Sequence, residues 1–213
     1  MLPRSVAGFI SVIVALVVGI TVHEFAHAFT ASELGDPTSR NQGRLTLNPL
    51  SHLDPVGSLM ILFAGFGWGK PVPVNPYMLR TDPTVGMAVV SLAGPASNVL
   101  TALLFAIPLR LGILPSGFGS RMFPSFTSLF GTIIFINIAL AVFNLIPLAP
   151  LDGYKVALAV LPREFANRLR QIETYGPIIL ILLVFLPNLA GVDVLGKIMF
   201  PPIRFLYSLM TGS

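Results

Sequence analysis

The sequence predicts a mainly α-helical, polytopic membrane protein, with about five spanning helices, a short re-entrant or interfacial segment and a small membrane-associated β element. Three observations carry that prediction. Hydrophobic residues make up 54% of the 213 residues and charged residues only 10%, and the mean hydropathy is +0.83, far from the balance of soluble domains. The apolar residues lie in long uncharged runs of the length a bilayer requires. The few ionisable residues inside those runs are grouped, not scattered. A single domain over residues 1–213 is expected, with a core at about 6–155 and accessory helices at about 174–210. The formal net charge of +4 is spread over short loops, which fits membrane topology and no nucleic-acid surface. The chain has no Cys, which excludes disulfides and thiolate metal sites.

The first element is a helix. Residues 6–22 hold no charge, and apolar character resumes at Ala28 and fades at Glu33. A helix over residues 6–34 would be about 43 Å long at ~1.5 Å per residue, more than the roughly 30 Å hydrocarbon layer. His23 then falls about 25 Å from the helix start, inside the bilayer and near its far face. The stretch is not read as a signal peptide, because it runs straight into ionisable residues with no cleavage-type polar region.

Those residues are His23, Glu24 and His27. Two histidines four apart share a helix face, so both imidazoles can hold one metal ion, and Glu24 lies beside them, placed to take a proton from water. The spacing His-Glu-x-x-His is the pattern of zinc hydrolases, two imidazole ligands with a carboxylate general base. A lone His on an apolar helix is more often packed or hydrogen-bonded, and His or Glu at membrane depth can serve proton relays. But the chain holds only 3 His, and two of them flank one Glu. Zinc held by two His needs a third protein ligand and an open position. Asp152 is the outstanding candidate: it closes residues 144–153 (NLIPLAPLDG), and Pro147 and Pro150 break the helix ladder just before it.

Residues 35–55 are polar and turn-rich. Residues 44–48 alternate with the period of a strand, and residues 70–75 (KPVPVN) form a second extended candidate that its prolines confine to an edge. Between them, the apolar run 56–66 would cover about 16 Å as a helix, too short to span. His52 and Asp54 could gate the site or form a second metal pair, although a His and an Asp beside Pro55 more often hydrogen-bond their own loop. Gly65, Gly67 and Gly69 are read as hinges or turns. Residues 85–111 make the second span, with Gly94-Pro95 and Asn98 in its middle, and 125–146 the third. After the charged stretch 155–173, residues 175–186 and 194–210 complete the count, the latter broken by Pro201-Pro202.

Charge sets the orientation. Basic loops belong on the cytoplasmic side, and placing Met1 outside puts Arg40, Arg44, Lys70, Arg80, Lys155, Arg163, Arg168 and Arg170 inside. If residues 56–66 do not span, Asp152 arrives on the cytoplasmic side, at the depth of His23 and His27.

Taken together, HEFAH in the first span, Asn98 after AGP in the second and NLIPLAPLDG closing the third resemble the site-2 protease family of intramembrane zinc metalloproteases. The likeness runs over residues 10–155 or so, and GRLTLNPLSHLDPVG is similar to the short prokaryotic form without a PDZ or CBS domain. The resemblance implies that His23, His27 and Asp152 hold one Zn2+ and that Glu24 is the catalytic acid/base. Asn144 and Pro147 match the family's Asn-x-x-Pro; Tyr154 stands where an Arg or Gly often follows. It also implies transmembrane protein substrates cut in the bilayer of a prokaryotic cell membrane. Asn144 or Asn98 could donate to the oxyanion, though an Asn in a span is often interhelical glue. An edge strand at 44–48 or 72–75 could capture an unwound substrate. The competing reading is a transporter or ion-permeation protein using buried His, Glu and Asp; a third is a zinc-stabilised scaffold without activity. Glu24 within the His pair favours hydrolysis.

Overall fold

The computed structural model describes residues 5–64, 67–116, 119–120, 122–191 and 193–212. Its helices are α1 (Val6–Glu33), α2 (Thr38–Asn41), α3 (Pro55–Ala64), α4 (Pro83–Arg110), α5 (Phe126–Asn144), α6 (Asp152–Val160), α7 (Arg163–Gln171), α8 (Gly176–Ala190) and α9 (Val194–Thr211). Side-chain caps set where the long ones start. Ser5 accepts from the Gly8 N–H at 3.1 Å, and Ser125 from the Ser128 N–H at 3.2 Å. Asp82 accepts from Thr84 and Val85 at 2.9 and 3.1 Å, with Pro83 in the first turn, where no N–H is needed.

Helices α1, α4 and α5 are long and apolar enough to cross a membrane, at roughly 42, 42 and 28 Å by rise per residue. A fourth crossing is counted only if α7 and residues 173–186, bent by 45°, form one span. Of the about five spans expected, three, or four with the bent pair, meet that test among the described residues. Helix α8 has 15 residues, about 22 Å at the α-helical rise. Helix α9 carries Lys197, Arg204 and an internal Pro201-Pro202. Helix α3 is 10 residues long, too short to span, as expected; Gly65 and Phe66 lie outside the described residues.

The three long helices pack on one another along rows of residues spaced by four. On α1 the buried row is Ser11, Ala15, Gly19, His23, His27, Ala31; on α4 it is Gly86, Val90, Gly94, Asn98, Ala102, Ala106; on α5 it is Ile133, Asn137, Ala141. Such rows are the ridges by which helices interdigitate, and small residues in them let backbones approach closely inside a membrane. The α1 row explains the site's placement: the face that docks α1 into the bundle is the face that carries both histidines. Helix α6 lies on α4, and α9 packs against α4 and α5. Outward-facing Leu100, Leu104 and Ile107 are exposed, as lipid-facing positions are.

The expected β element is not formed. Among the described residues there is no strand, only one isolated antiparallel bridge, Leu53 to Gly69, with the Lys70 N–H donating to the His52 carbonyl at 2.7 Å. Residues 44–48 alternate in hydrophobicity, but their polar groups are spent on turns. The Thr46 carbonyl meets the His52 ring, and the Asn48 side chain caps the turn Pro49–Ser51. In residues 70–75, Pro71 and Pro73 have no N–H to give a ladder. That segment instead passes as a strap beside the C-terminal half of α1, where the Val72 N–H meets Glu24.

Candidate metal centre and its cleft

Helix α1 presents His23 and His27 one turn apart, both 7% exposed. Their Nδ1 atoms are committed. His23 Nδ1 donates to Asn98 Oδ1 at 2.8 Å, and His27 Nδ1 donates to the Val90 carbonyl at 2.7 Å. A carbonyl can only accept, so each ring carries its proton on Nδ1 and turns an Nε2 lone pair inward. The two Nε2 atoms lie 3.0 Å apart. Asp152, in the first turn of α6, brings Oδ2 to 3.1 Å from one and 3.2 Å from the other.

Two lone pairs and a carboxylate facing one another within 3.2 Å repel unless a cation stands among them. Tetrahedral zinc with ligand bonds of about 2.05 Å sets its ligand atoms roughly 3.4 Å apart. The observed separations are a few tenths of an ångström shorter, so this donor set fits the ion. Among the described residues it is also the one group of three or more His, Cys, Asp or Glu side chains able to hold a metal.

The approach of α4 is equally specific. A Cβ placed on Gly94 would sit 2.5 Å from His27 Nε2 and 2.6 Å from His23 Cε1, so only glycine lets α4 lie against the rings. Gly153 has the same role behind Asp152, where a Cβ would meet the Leu145 and Ile146 carbonyls at 2.3 and 2.6 Å. Tyr154 anchors the start of α6 by donating its hydroxyl to Glu173 at 2.6 Å. Burial first, and then that hydrogen bond to an anion, push its phenol up to about 12.

Glu24 reaches the strap, where its Oε2 accepts the Val72 N–H at 3.2 Å. The strap is held from behind. Arg44, 6% exposed, donates to the carbonyls of both Lys70 and Pro71, and the Asn75 N–H donates to the fully buried Asp36 at 2.7 Å. His23, Glu24, His27 and Asp152 all open on one cavity of about 1190 Å³, walled by the length of α1 and α5, the strap, Leu180 and Tyr207.

The remaining expected residues fall as follows. Asn144 lines the cavity and donates one amide hydrogen to the Leu140 carbonyl at 3.0 Å. Asn98 is fully buried behind His23, not on the cavity wall. His52 is fully buried, bonded through Nε2 to the Thr46 carbonyl at 2.7 Å; Asp54 accepts the Gly57 N–H at 2.7 Å at the start of α3. Neither belongs to the His23, His27 and Asp152 donor group, and the His52 carbonyl also accepts the Lys70 N–H of the strap at 2.7 Å. Sequence reasoning missed Gly94, Asn137, Arg44 and the Val72 contact. The first two stand in the four-residue rows; the last two have no local sequence signal.

Fold and site together define a membrane metalloprotease. The pattern of Peptidase family M50 matches residues 110–185. The chain is 41% identical over 179 residues to "Putative zinc metalloprotease YwhC" of Bacillus subtilis strain 168, covering 82% of this chain and 80% of that protein. It is 34% identical over 194 residues to "Putative zinc metalloprotease Rip2" of Mycolicibacterium smegmatis, covering 88% and 71%. To the protein of the same name in Mycobacterium tuberculosis H37Rv it is 32% identical over 202 residues, covering 89% and 72%. No solved structure matches. The chain belongs to peptidase family M50, the site-2 protease type, and is an integral membrane zinc metalloprotease.

Proposed function

We propose that this protease hydrolyses peptide bonds within or near the transmembrane helices of other membrane proteins, with its site toward the cytoplasmic face. His23, His27 and Asp152 hold the zinc, and Glu24 is the general base and then the general acid. The observation that carries the reading is the cavity. Its volume of about 1190 Å³ exceeds the roughly 500 Å³ that one helical turn occupies at ~11 Å diameter and 5.4 Å pitch. Its walls are spanning helices, and the ligand set sits in it.

When bound, zinc supplies Lewis-acid activation of water and of the scissile carbonyl. Glu24 accepts the proton that the attacking water loses and delivers it to the leaving amine. Asn144, with one amide hydrogen engaged, has a second to donate to the developing oxyanion. A substrate helix hides its carbonyls in its own ladder, so the segment to be cut must unwind first. The strap receives it by backbone pairing, since the Val72 carbonyl and both backbone groups of Val74 have no partner among the described residues. The concentration of Arg and Lys in the loops at the Asp152 end orients that end to the cytoplasm.

Glu24→Gln tests the reading. The zinc-loaded variant, offered a transmembrane helical substrate in proteoliposomes, should keep its metal and lose cleavage. Retained cleavage refutes the assignment of Glu24, and ion flux without cleavage in the wild type supports a permeation protein instead.

A further inference from the structure

We propose that Asn137, in the middle of α5, is a positioning residue that acts through Asn98 to fix the tautomer in which His23 offers its metal-binding nitrogen. The inference rests on His23 being a zinc ligand. Asn137 and Asn98 are fully buried, and four hydrogen bonds join them to three helices. Asn137 Nδ2 donates to the Ile133 carbonyl, one turn back on α5, at 2.9 Å. Its Oδ1 therefore faces α4 and accepts from Asn98 Nδ2 at 3.0 Å. The same Asn98 nitrogen donates to the Gly19 carbonyl of α1 at 3.0 Å. Asn98 Oδ1 is then left for His23 Nδ1 at 2.8 Å.

The order of these bonds gives the chain a direction. A carbonyl only accepts, so Ile133 and Gly19 each dictate which end of the neighbouring amide faces them. If Asn98 were flipped, it would aim its amide oxygen at the Gly19 carbonyl and at Asn137 Oδ1, burying three acceptors against one another. With the flip excluded, His23 must carry its proton on Nδ1, and the Nε2 lone pair is presented to the metal. Partners behind a metal-bound His commonly orient the ring in this way. Here the orientation starts one helix further away. Asn137 makes no contact with His23 or with any other proposed ligand among the hydrogen bonds it forms.

The test uses the full chain in detergent with 15N-labelled histidine at pH 8, metal-free and zinc-loaded. Long-range 15N–1H spectra identify the protonated ring nitrogen, and chelator competition gives zinc affinity. Metal-free wild type should show His23 protonated on Nδ1. Asn137→Leu, which keeps the bulk and removes the amide, should give mixed tautomers at His23 and about 10- to 100-fold weaker zinc binding. Asn137→Asp should restore both, because a buried neutral carboxyl offers the same acceptor to Asn98 and an O–H to Ile133. If Asn137→Leu leaves tautomer and affinity at wild-type values, even with lower heat stability, Asn137 is interhelical glue and the proposal falls. If that variant does not fold, a mixed His23 tautomer in the wild type or in a folded Asn137→Asp overturns the proposal, and Nδ1 protonation in both supports it. His23→Ala separates the underlying reading: it must abolish zinc binding whatever Asn137 does.

Discussion

Replacing Gly94 by alanine is expected to disable the metal centre without touching a ligand. The added Cβ would stand 2.5 Å from His27 Nε2 and 2.6 Å from Cε1 of both imidazoles, about 1 Å inside ordinary carbon contact. Neither ring can step back, since His23 is tied to Asn98 at 2.8 Å and His27 to the Val90 carbonyl at 2.7 Å. The strain is relieved by tilting the rings or by separating α1 from α4. Overpacking of this kind costs about 1–3 kcal/mol, and at ~1.4 kcal/mol per factor of ten that corresponds to roughly 5- to 150-fold weaker zinc binding if the rings yield. The assay is competition with chelators of graded affinity on the purified protein, with circular dichroism to confirm helix content. Gly131→Ala serves as a control, because its Cβ would meet only the Tyr207 hydroxyl, at 3.2 Å, the far end of a side chain that can move. Wild-type zinc affinity in Gly94→Ala would refute the reasoning, because it would mean that α4 does not press on the rings.

Further outcomes follow from the strap and from α6. Val72→Pro removes the N–H that Glu24 accepts at 3.2 Å; cleavage should fall about tenfold, as for one charge-assisted hydrogen bond, with zinc content unchanged, and an equal or faster rate would show that the contact does not orient Glu24. Arg44→Met frees the Lys70 and Pro71 carbonyls and should speed hydrogen exchange at the Val72 amide while leaving metal affinity alone; unchanged exchange would exclude Arg44 as the strap's clamp. The Tyr154 phenol, raised to about 12 by burial and by Glu173, stays protonated where the unfolded chain's would ionise, so its share of stability is complete below about pH 10 and is lost between about 10 and 12. Denaturant melts of wild type and Tyr154→Phe should therefore converge across that window, and parallel curves would refute the assignment.

Much of the centre is legible from local rules. The i, i+4 spacing puts His23 and His27 on one face in any helix, and a 28-residue helix follows from an apolar run that holds no charge over residues 6–22. The third proposed ligand is legible because a carboxylate after two prolines has few other reasons to close an apolar span. The rest depends on contacts distant in sequence. The alternation at residues 44–48 suggests a strand, but pairing needs a partner with donors, and Pro71 and Pro73 remove them. The end helices read as spans by composition, yet α8 is short and α9 carries two cations and two prolines. Asn137 and Gly94 look unremarkable alone. Their meaning appears only when the rows of α1, α4 and α5 are laid against one another.

The proposed ligands are contributed by opposite ends of the expected core, two by α1 and one by the first turn of α6, after the third long helix. During synthesis, therefore, the nascent chain carries its imidazoles in the membrane well before it can hold the ion. On the proposed ligand set, the ion can be held only once Asp152 has left the ribosome and α4 has closed on α1.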